Sequence, residues 1–178
     1  SKGFDKVVWK AKQIIEKNLA SIELRYLSKD MEEGYPGNLE VKVTYTLNNN
    51  DELTVHYEAS TDKSTIINLT QHSYFNLSGD FKNDILDHKI VIDADSFLPV
   101  NSKLIPTGEL QDVLGTPFDF RKSKTIRNDI NKENEQLNNG LGYDHCWALN
   151  NHNEGFRFAA SAHDQISGRF LEIFTDEP

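Results

Sequence analysis

One stretch determines the fold class: residues 39–59 read LEVKVTYTLNNNDELTVHYEA. Apolar and polar side chains alternate on both sides of an Asn-Asn-Asn-Asp cluster at residues 48–51. A period of two places the apolar side chains on one face of a strand, and the cluster is typical of a turn. We therefore predict an antiparallel hairpin with one buried face, and we expect His56 to point to solvent.

The same alternation recurs along the chain, with turn residues between the segments. It is found at residues 22–26, 90–92, 156–162 and 171–173. We expect helix only as a short piece near residues 125–130, followed by a loop at 131–139. Many short strands with almost no helix predict an all-β fold, an antiparallel β-sandwich, and we expect one domain over residues 1–178.

Composition and charge exclude several classes of function. The 178 residues are 37% apolar and 26% charged, which is ordinary for a soluble globular protein. A net charge of −9 disfavours binding to nucleic acid or to an anionic membrane surface. The single cysteine, Cys146, excludes an internal disulfide framework, and we interpret it as a small core residue. Asp93 and Asp95 lack the further ligands of a calcium loop, so we predict no metal site.

The segment at residues 68–77, NLTQHSYFNL, carries chemistry. Read as a strand, it presents polar and aromatic groups on a single face, namely Asn68, Thr70, His72, Tyr74 and Asn76. Such a set of donors, acceptors and rings suits a ligand with many hydroxyl groups. A solvated sheet face with one incidental His is the other interpretation that the alternation allows.

A second segment, GYDHCW at residues 142–147, places His145 beside Asp144 in a short aromatic run that also reads as a strand. Asp144 could orient His145, although adjacent residues of a strand face opposite ways. The charged, Gly- and Pro-containing stretch at residues 30–38 is a loop. We interpret this loop as a plain connection, with the rim of a ligand site as the alternative.

These segments resemble the aldose 1-epimerase (galactose mutarotase) family, in order and approximate spacing, over nearly the whole chain. The matching stretches are GFDK at 3–6 with Trp9, EEGYPG at 32–37, NLTQHSYFNL at 68–77, LPV at 98–100, IPTGE at 105–109 and YDHCW at 143–147. One departure is Gln71, where family members often have Asn. The resemblance implies part of a large, galactose-mutarotase-like β-sandwich, with the N-terminal and C-terminal portions of the family lacking from this chain.

The resemblance also implies residue roles. His145 matches the general acid that acts on the sugar ring oxygen, and His72 matches the second active-site His, which binds and polarises the sugar. His72, Tyr74, Asn76, His145 and Trp147 are the expected substrate-binding residues, and neither cofactor nor metal is expected. The family's general base is a Glu for which this chain has no matching residue, so we expect little activity from these residues alone.

Three alternatives remain open on the sequence. They are a hexose-phosphate epimerase relative, which the negative charge disfavours, a non-catalytic sugar-binding β-sandwich, and a purely structural domain. The expected partner is a small-molecule sugar, with self-association possible through open strand edges. We expect a cytoplasmic location, with a secreted or periplasmic one left open because the start of the chain looks cut.

Overall fold

Antiparallel strands provide most of the regular structure in a computed structural model that describes residues 2–178. Two units divide the chain, one ending at Ser73 and the other covering Tyr74–Pro178. None of the helices in residues 2–178 is long and apolar enough to cross a membrane. The all-β antiparallel class is confirmed, whereas the single domain stays a prediction.

The first unit contains one four-stranded sheet with the strands in sequence order. Its strands are β1 (Lys10–Glu16), β2 (Leu19–Ser28), β3 (Leu39–Asn48) and β4 (Leu53–Thr61). Every neighbouring pair is antiparallel. Two short 3-10 helices, Phe4–Lys6 and Glu32–Gly34, lie outside the sheet.

The predicted hairpin is the centre of this sheet. Leu39, Val41 and Val43 are buried on one face of β3, with Trp9 and Tyr45 among the side chains packed against them. The alternation therefore identified the buried face correctly. His56 is exposed on β4, as predicted. β1 was not predicted, because its residues, KAKQIIE, lack alternation and stay largely exposed.

The second unit contains two sheets, of four and three strands. The strands are β5 (Lys89–Ile92), β6 (Ser96–Phe97), β7 (Gln111–Asp112), β8 (Lys124–Thr125), β9 (Trp147–Ala148), β10 (Arg157–His163) and β11 (Phe170–Thr175). The first sheet has the order β11-β10-β5-β8 and the second β7-β6-β9, with antiparallel pairing throughout. The hairpin of β10 and β11 confirms the second predicted pair.

Helix in the second unit was predicted at the wrong place. Residues 125–130 contain the end of β8, at Thr125, and a 3-10 turn at Ile126–Asn128, but no α-helix. The α-helix, α1, is Glu135–Gly140, inside the predicted loop. Asn134 caps this helix, since its side chain accepts hydrogen bonds from the amides of Gln136 and Leu137.

Residues 68–77 do not form a strand, which corrects the sequence-based interpretation. Polar alternation defines two faces only if the backbone has a pairing partner, and no strand of residues 2–178 pairs with this segment. Residues 142–147 are likewise irregular apart from Trp147, which begins β9. Cys146 is exposed rather than part of the core, and it lies in the irregular segment just before β9 and not in a strand.

Candidate active site

His145 lies in the loop between α1 and β9, half-buried against two phenylalanine rings. Its ring centre is 4.6 Å from that of Phe118 and 5.8 Å from that of Phe97, and it meets both rings edge-on. Phe97 and Phe118 are almost completely buried and stack with centroids 4.2 Å apart. Because a close-packed aromatic floor permits few ring orientations, the imidazole has a well-defined position.

The backbone at the end of α1 lets the imidazole of His145 lie close to the helix. Leu141 ends the helix in the left-handed conformation, with φ of 53°. A Cβ atom at Gly140 would lie 3.0 Å from Cε1 of His145. A larger residue at position 140 would have to push the ring away, so glycine is what lets the helix and the imidazole touch.

Both ring nitrogens of His145 have partners. The main-chain amide of Asp144 donates to Nδ1 at 3.2 Å, and Nε2 lies 3.2 Å from Oε1 of Gln136. Burial lowers the pKa of His145 below its ordinary value, and the carboxylate of Asp144 opposes this shift only in part. This lowering of the pKa favours the neutral imidazole. Asp144 does orient His145, but through its main-chain amide.

Two further aromatic side chains, Tyr143 and Trp147, also pack against Phe118. Tyr143 packs edge-on against Phe118, and its hydroxyl donates to the carbonyl of Pro117 at 3.0 Å. Burial, and then the nearby carboxylate of Asp129, raises the pKa of Tyr143. Trp147 donates its indole N–H to the carbonyl of Phe118 at 3.0 Å. The polar atoms of both aromatic side chains are thus used inside this unit.

Gln136 is a site residue that the sequence interpretation missed. It sits on α1 and reaches both main-chain groups of Val100, with its Nε2 3.1 Å from the carbonyl and its Oε1 2.7 Å from the amide. A signal was present in the sequence: Asn134 followed by Glu135 is a typical helix start. The contact to Val100, 36 residues away in sequence, left no such signal.

His72 belongs to the first unit, where it lines a cavity of about 940 Å³. The loop at residues 30–38, interpreted as a plain connection, contributes Glu32, Glu33 and Tyr35 to the wall. Tyr26 donates to Glu32 at 2.6 Å, and this hydrogen bond is the main reason why the pKa of Glu32 lies below its usual value. The cavity therefore combines an imidazole with a carboxylate that stays ionised.

Three stretches that are distant in sequence line this cavity, together with side chains of β2, β3 and β4. The three stretches are residues 2–5 with Trp9, residues 32–37, and residues 65–73. Each overlaps one of the segments through which the sequence resembles a known family. Amide, hydroxyl and aromatic groups are present together on its walls, which is the mixture expected around a polyhydroxyl ligand.

The other two predicted binding residues lie at the start of the second unit. Tyr74 is 89% exposed. Asn76 uses its amide within its own loop: Nδ2 donates to the carbonyl of Asn83 at 2.9 Å, and Oδ1 accepts from the amide and hydroxyl of Ser78. The visible role of Asn76 is to hold the loop that follows His72.

The structure thus shows the predicted residues in three separate settings, with Tyr74 exposed. His145 and Trp147 share one aromatic cluster around Phe118. His72 lies on the cavity of the first unit, and Asn76 closes a separate loop of the second. That His72 and His145 converge on one ligand stays a prediction, as do the binding roles of Tyr74 and Asn76.

Comparison with known proteins gives consistent matches. A family model described as aldose 1-epimerase matches residues 2–178. Galactose mutarotase of Bos taurus is 44% identical over 177 residues, covering 99% of this chain and 48% of that protein. Aldose 1-epimerase of Escherichia coli (strain K12) is 36% identical over 176 residues, covering 99% and 49%.

Comparison with solved structures agrees with these sequence matches. The crystal structure of galactose 1-epimerase from Lactobacillus acidophilus NCFM matches with a TM-score of 0.81 at 34% identity, over 90% of this chain and 46% of that one. This match supports a fold of sandwiched antiparallel sheets. The chain spans about half the length of the curated relatives that it matches.

Proposed function

Because the chain belongs to the aldose 1-epimerase family, we propose that it contributes to an enzyme that interconverts the α and β anomers of free hexoses such as galactose and glucose. Relatives named galactose mutarotase and aldose 1-epimerase, matched over 99% of this chain, support the proposal. The proposed enzyme is an isomerase of carbohydrate metabolism.

The reaction requires two proton transfers. Opening the sugar ring removes a proton from the C1 hydroxyl and adds one to the ring oxygen. After rotation about the bond between C1 and C2, the ring closes on its other face and the protons return. An acid and a base held in fixed positions are therefore needed near pH 7, and neither a metal nor a cofactor is required.

His145 is the proposed acid, and its fixed setting is the observation that carries the proposal. The ring rests on Phe97 and Phe118, and its contacts to Asp144 and Gln136 fix its orientation. The N–H on Nε2 can polarise a sugar ring oxygen by sharing with it the hydrogen bond that Nε2 makes to Oε1 of Gln136, and the imidazolium form can pass a proton to that oxygen and return to the neutral ring. A fixed donor of this kind lowers the barrier because no reorganisation is needed during the reaction.

His72 is the proposed second sugar contact. It lines a cavity that also carries the ionised Glu32 and the ring of Tyr35, groups that suit sugar hydroxyls and the apolar face of a pyranose. Tyr74, Asn76 and Trp147 complete the proposed substrate set. We assign the general base to no residue of this chain.

Polarimetry tests the proposal. Freshly dissolved α-galactose is mixed with the gene product that carries residues 1–178, and the rotation is followed against buffer. We expect acceleration by the wild type, and a loss of kcat of roughly 10²–10⁴-fold in His145→Gln, the typical contribution of a general acid. His56→Gln is the matched control, because this imidazole is exposed on β4.

Three outcomes would overturn the assignment. Wild-type rates in His145→Gln would remove His145 from the reaction. Sugar binding without acceleration would indicate a non-catalytic binding domain. Acceleration confined to phosphorylated sugars would indicate a hexose-phosphate epimerase.

A further inference from the structure

We propose that Gln136 is a positioning residue that fixes His145 in the tautomer carrying its proton on Nε2. The location of the proton follows from contacts inside the second unit. Only the kinetic consequence of this tautomer rests on the proposed mutarotase function.

The orientation of the Gln136 amide is set by main-chain groups. Its Nε2 donates to the carbonyl of Val100 at 3.1 Å, and its Oε1 accepts from the amide of Val100 at 2.7 Å. A main-chain amide can only donate, and a main-chain carbonyl can only accept. Exchanging the oxygen and nitrogen of Gln136 would put donor against donor and acceptor against acceptor, so the side chain has one orientation.

This orientation determines what His145 meets at Nε2. Oε1 of Gln136 lies 3.2 Å from that nitrogen and can only accept, so Nε2 must bear the hydrogen. At the opposite nitrogen, the amide of Asp144 donates to Nδ1 at 3.2 Å, which requires a lone pair there. Two independent contacts therefore specify the same neutral tautomer.

A flipped imidazole ring would not satisfy these partners. Rotation by half a turn would replace Nδ1 and Nε2 by carbon atoms, leaving Oε1 of Gln136 and the amide of Asp144 each facing a C–H group. The ring of Phe118, whose centre is 4.6 Å away, and Gly140, where a Cβ atom would lie 3.0 Å from Cε1, also leave little room for the rotation. Burial also favours a neutral ring, because it disfavours a second proton on the imidazole. The negative charge of Asp144 opposes this effect of burial.

The rest of α1 holds Gln136 in place. Asn134 caps the helix, Leu137 is buried in the core, and Asn139 donates to the carbonyl of Val100 at 2.9 Å. Asn139 shares the partner of Gln136 but makes no hydrogen bond to His145. A change at position 139 can therefore separate damage to the Val100 contact from loss of the imidazole contact.

The experiment is a pH titration of the protein with ¹⁵N-labelled histidine, followed by NMR. In the wild type we expect a protonated Nε2, an unprotonated Nδ1 and a pKa for His145 below about 6.5. Gln136→Glu places a carboxylate at Nε2 and should raise the pKa of His145 by about one unit or more. Asn139→Asp adds the same charge to the same helix and should leave the tautomer intact, with a clearly smaller shift in the pKa.

Gln136→Leu removes the acceptor without adding charge, and we expect a mixture of both tautomers. Equal pKa shifts in Gln136→Glu and Asn139→Asp would overturn the proposal, and so would an unchanged single tautomer in Gln136→Leu. A wild-type signal with the proton on Nδ1 would overturn it without any variant.

These measurements need no sugar, so they separate this proposal from the proposed function. In the gene product that carries this chain, the His145 limb of the kcat profile against pH should move in Gln136→Glu as far as the NMR pKa moves. If the pKa moves and the kinetic limb does not, Gln136 does not position His145 for the reaction. If no mutarotation is seen while the tautomer is as stated, only the proposed function fails.

Discussion

Asp129 shows how a buried charge is accommodated beside the His145 cluster. It is 4% exposed, and both Lys124 and Lys132 place Nζ 2.5 Å from its carboxylate. Burial by itself would raise the pKa of Asp129, but the hydrogen bonds from Lys124 and Lys132 outweigh it and hold the pKa below the usual value. Lys124 also donates to the carbonyl of Pro117, the acceptor of the Tyr143 hydroxyl. The ion pair of Asp129 and Lys124 is thus connected through Pro117 to Tyr143, which packs against Phe118.

Asp129→Asn should lower the free energy of unfolding by roughly 2 kcal/mol near neutral pH, because it removes a charged hydrogen-bond acceptor from two lysines. Because the pKa of Asp129 is lower in the folded protein than in the unfolded chain, the ionised carboxylate stabilises the fold at pH values above the unfolded pKa of about 3.9. This stabilisation is lost as the pH falls below that value and through the folded pKa. The difference between wild type and variant should therefore shrink in acid. Urea unfolding at several pH values measures it.

The control is Asp176→Asn, since Asp176 is exposed in the same unit and should change little. Equal effects of the two substitutions, or a difference that does not depend on pH, would show that the Asp129 pair contributes no specific stability.

At the scale of single elements, α1 is too short to be stable by itself. Its six residues depend on the Asn134 cap, on the burial of Leu137 and on the hydrogen bonds to Val100. The helix therefore couples its own folding to the position of Gln136. Weakening the Asn134 cap should therefore also loosen the position of His145, because Gln136 on this helix contacts its ring.

Asn134→Ala should cost about 1 kcal/mol of stability, because two helix amides lose their acceptor. Amide hydrogen exchange at Gln136 and Leu137 should accelerate accordingly, and Asn134→Ser should restore protection. Asn138→Ala makes the same chemical change at an exposed position of α1 and should not destabilise, because alanine favours helix. Similar exchange rates in the two alanine variants would contradict the capping role.

The elements also show which parts of the fold could be predicted from the sequence. β3, β4, β10 and β11 alternate regularly, and that local pattern was sufficient. β1 becomes a strand through its pairing with β2, a contact that its own composition does not encode. Residues 68–77 have the alternation without a pairing strand, so the pattern misled.

The candidate site likewise contains residues that could be predicted from the sequence and residues that could not. His145 and Trp147 were predicted because they stand together in one short run that resembles a family motif, and the structure places both beside Phe118. Phe118, which packs against His145, lies 27 positions before it in the sequence. Val100, which holds Gln136, lies 36 positions before Gln136. Contacts of that range are created by folding and leave no periodic trace.

At the scale of the whole molecule, the two histidines lie in units that the structure defines separately. We propose that His145 gives the proton to the ring oxygen while His72 binds and polarises the same sugar. Groups that serve one transition state are not independent, so their substitutions should not add.

The most direct test is a double-mutant cycle on mutarotation by the gene product that carries this chain. We expect His145→Gln to lower kcat by roughly 10²–10⁴-fold, and His72→Gln to impair both KM and kcat. The double variant should be little slower than His145→Gln. If instead the two losses multiply in the double variant, the histidines act independently and the shared sugar site is wrong.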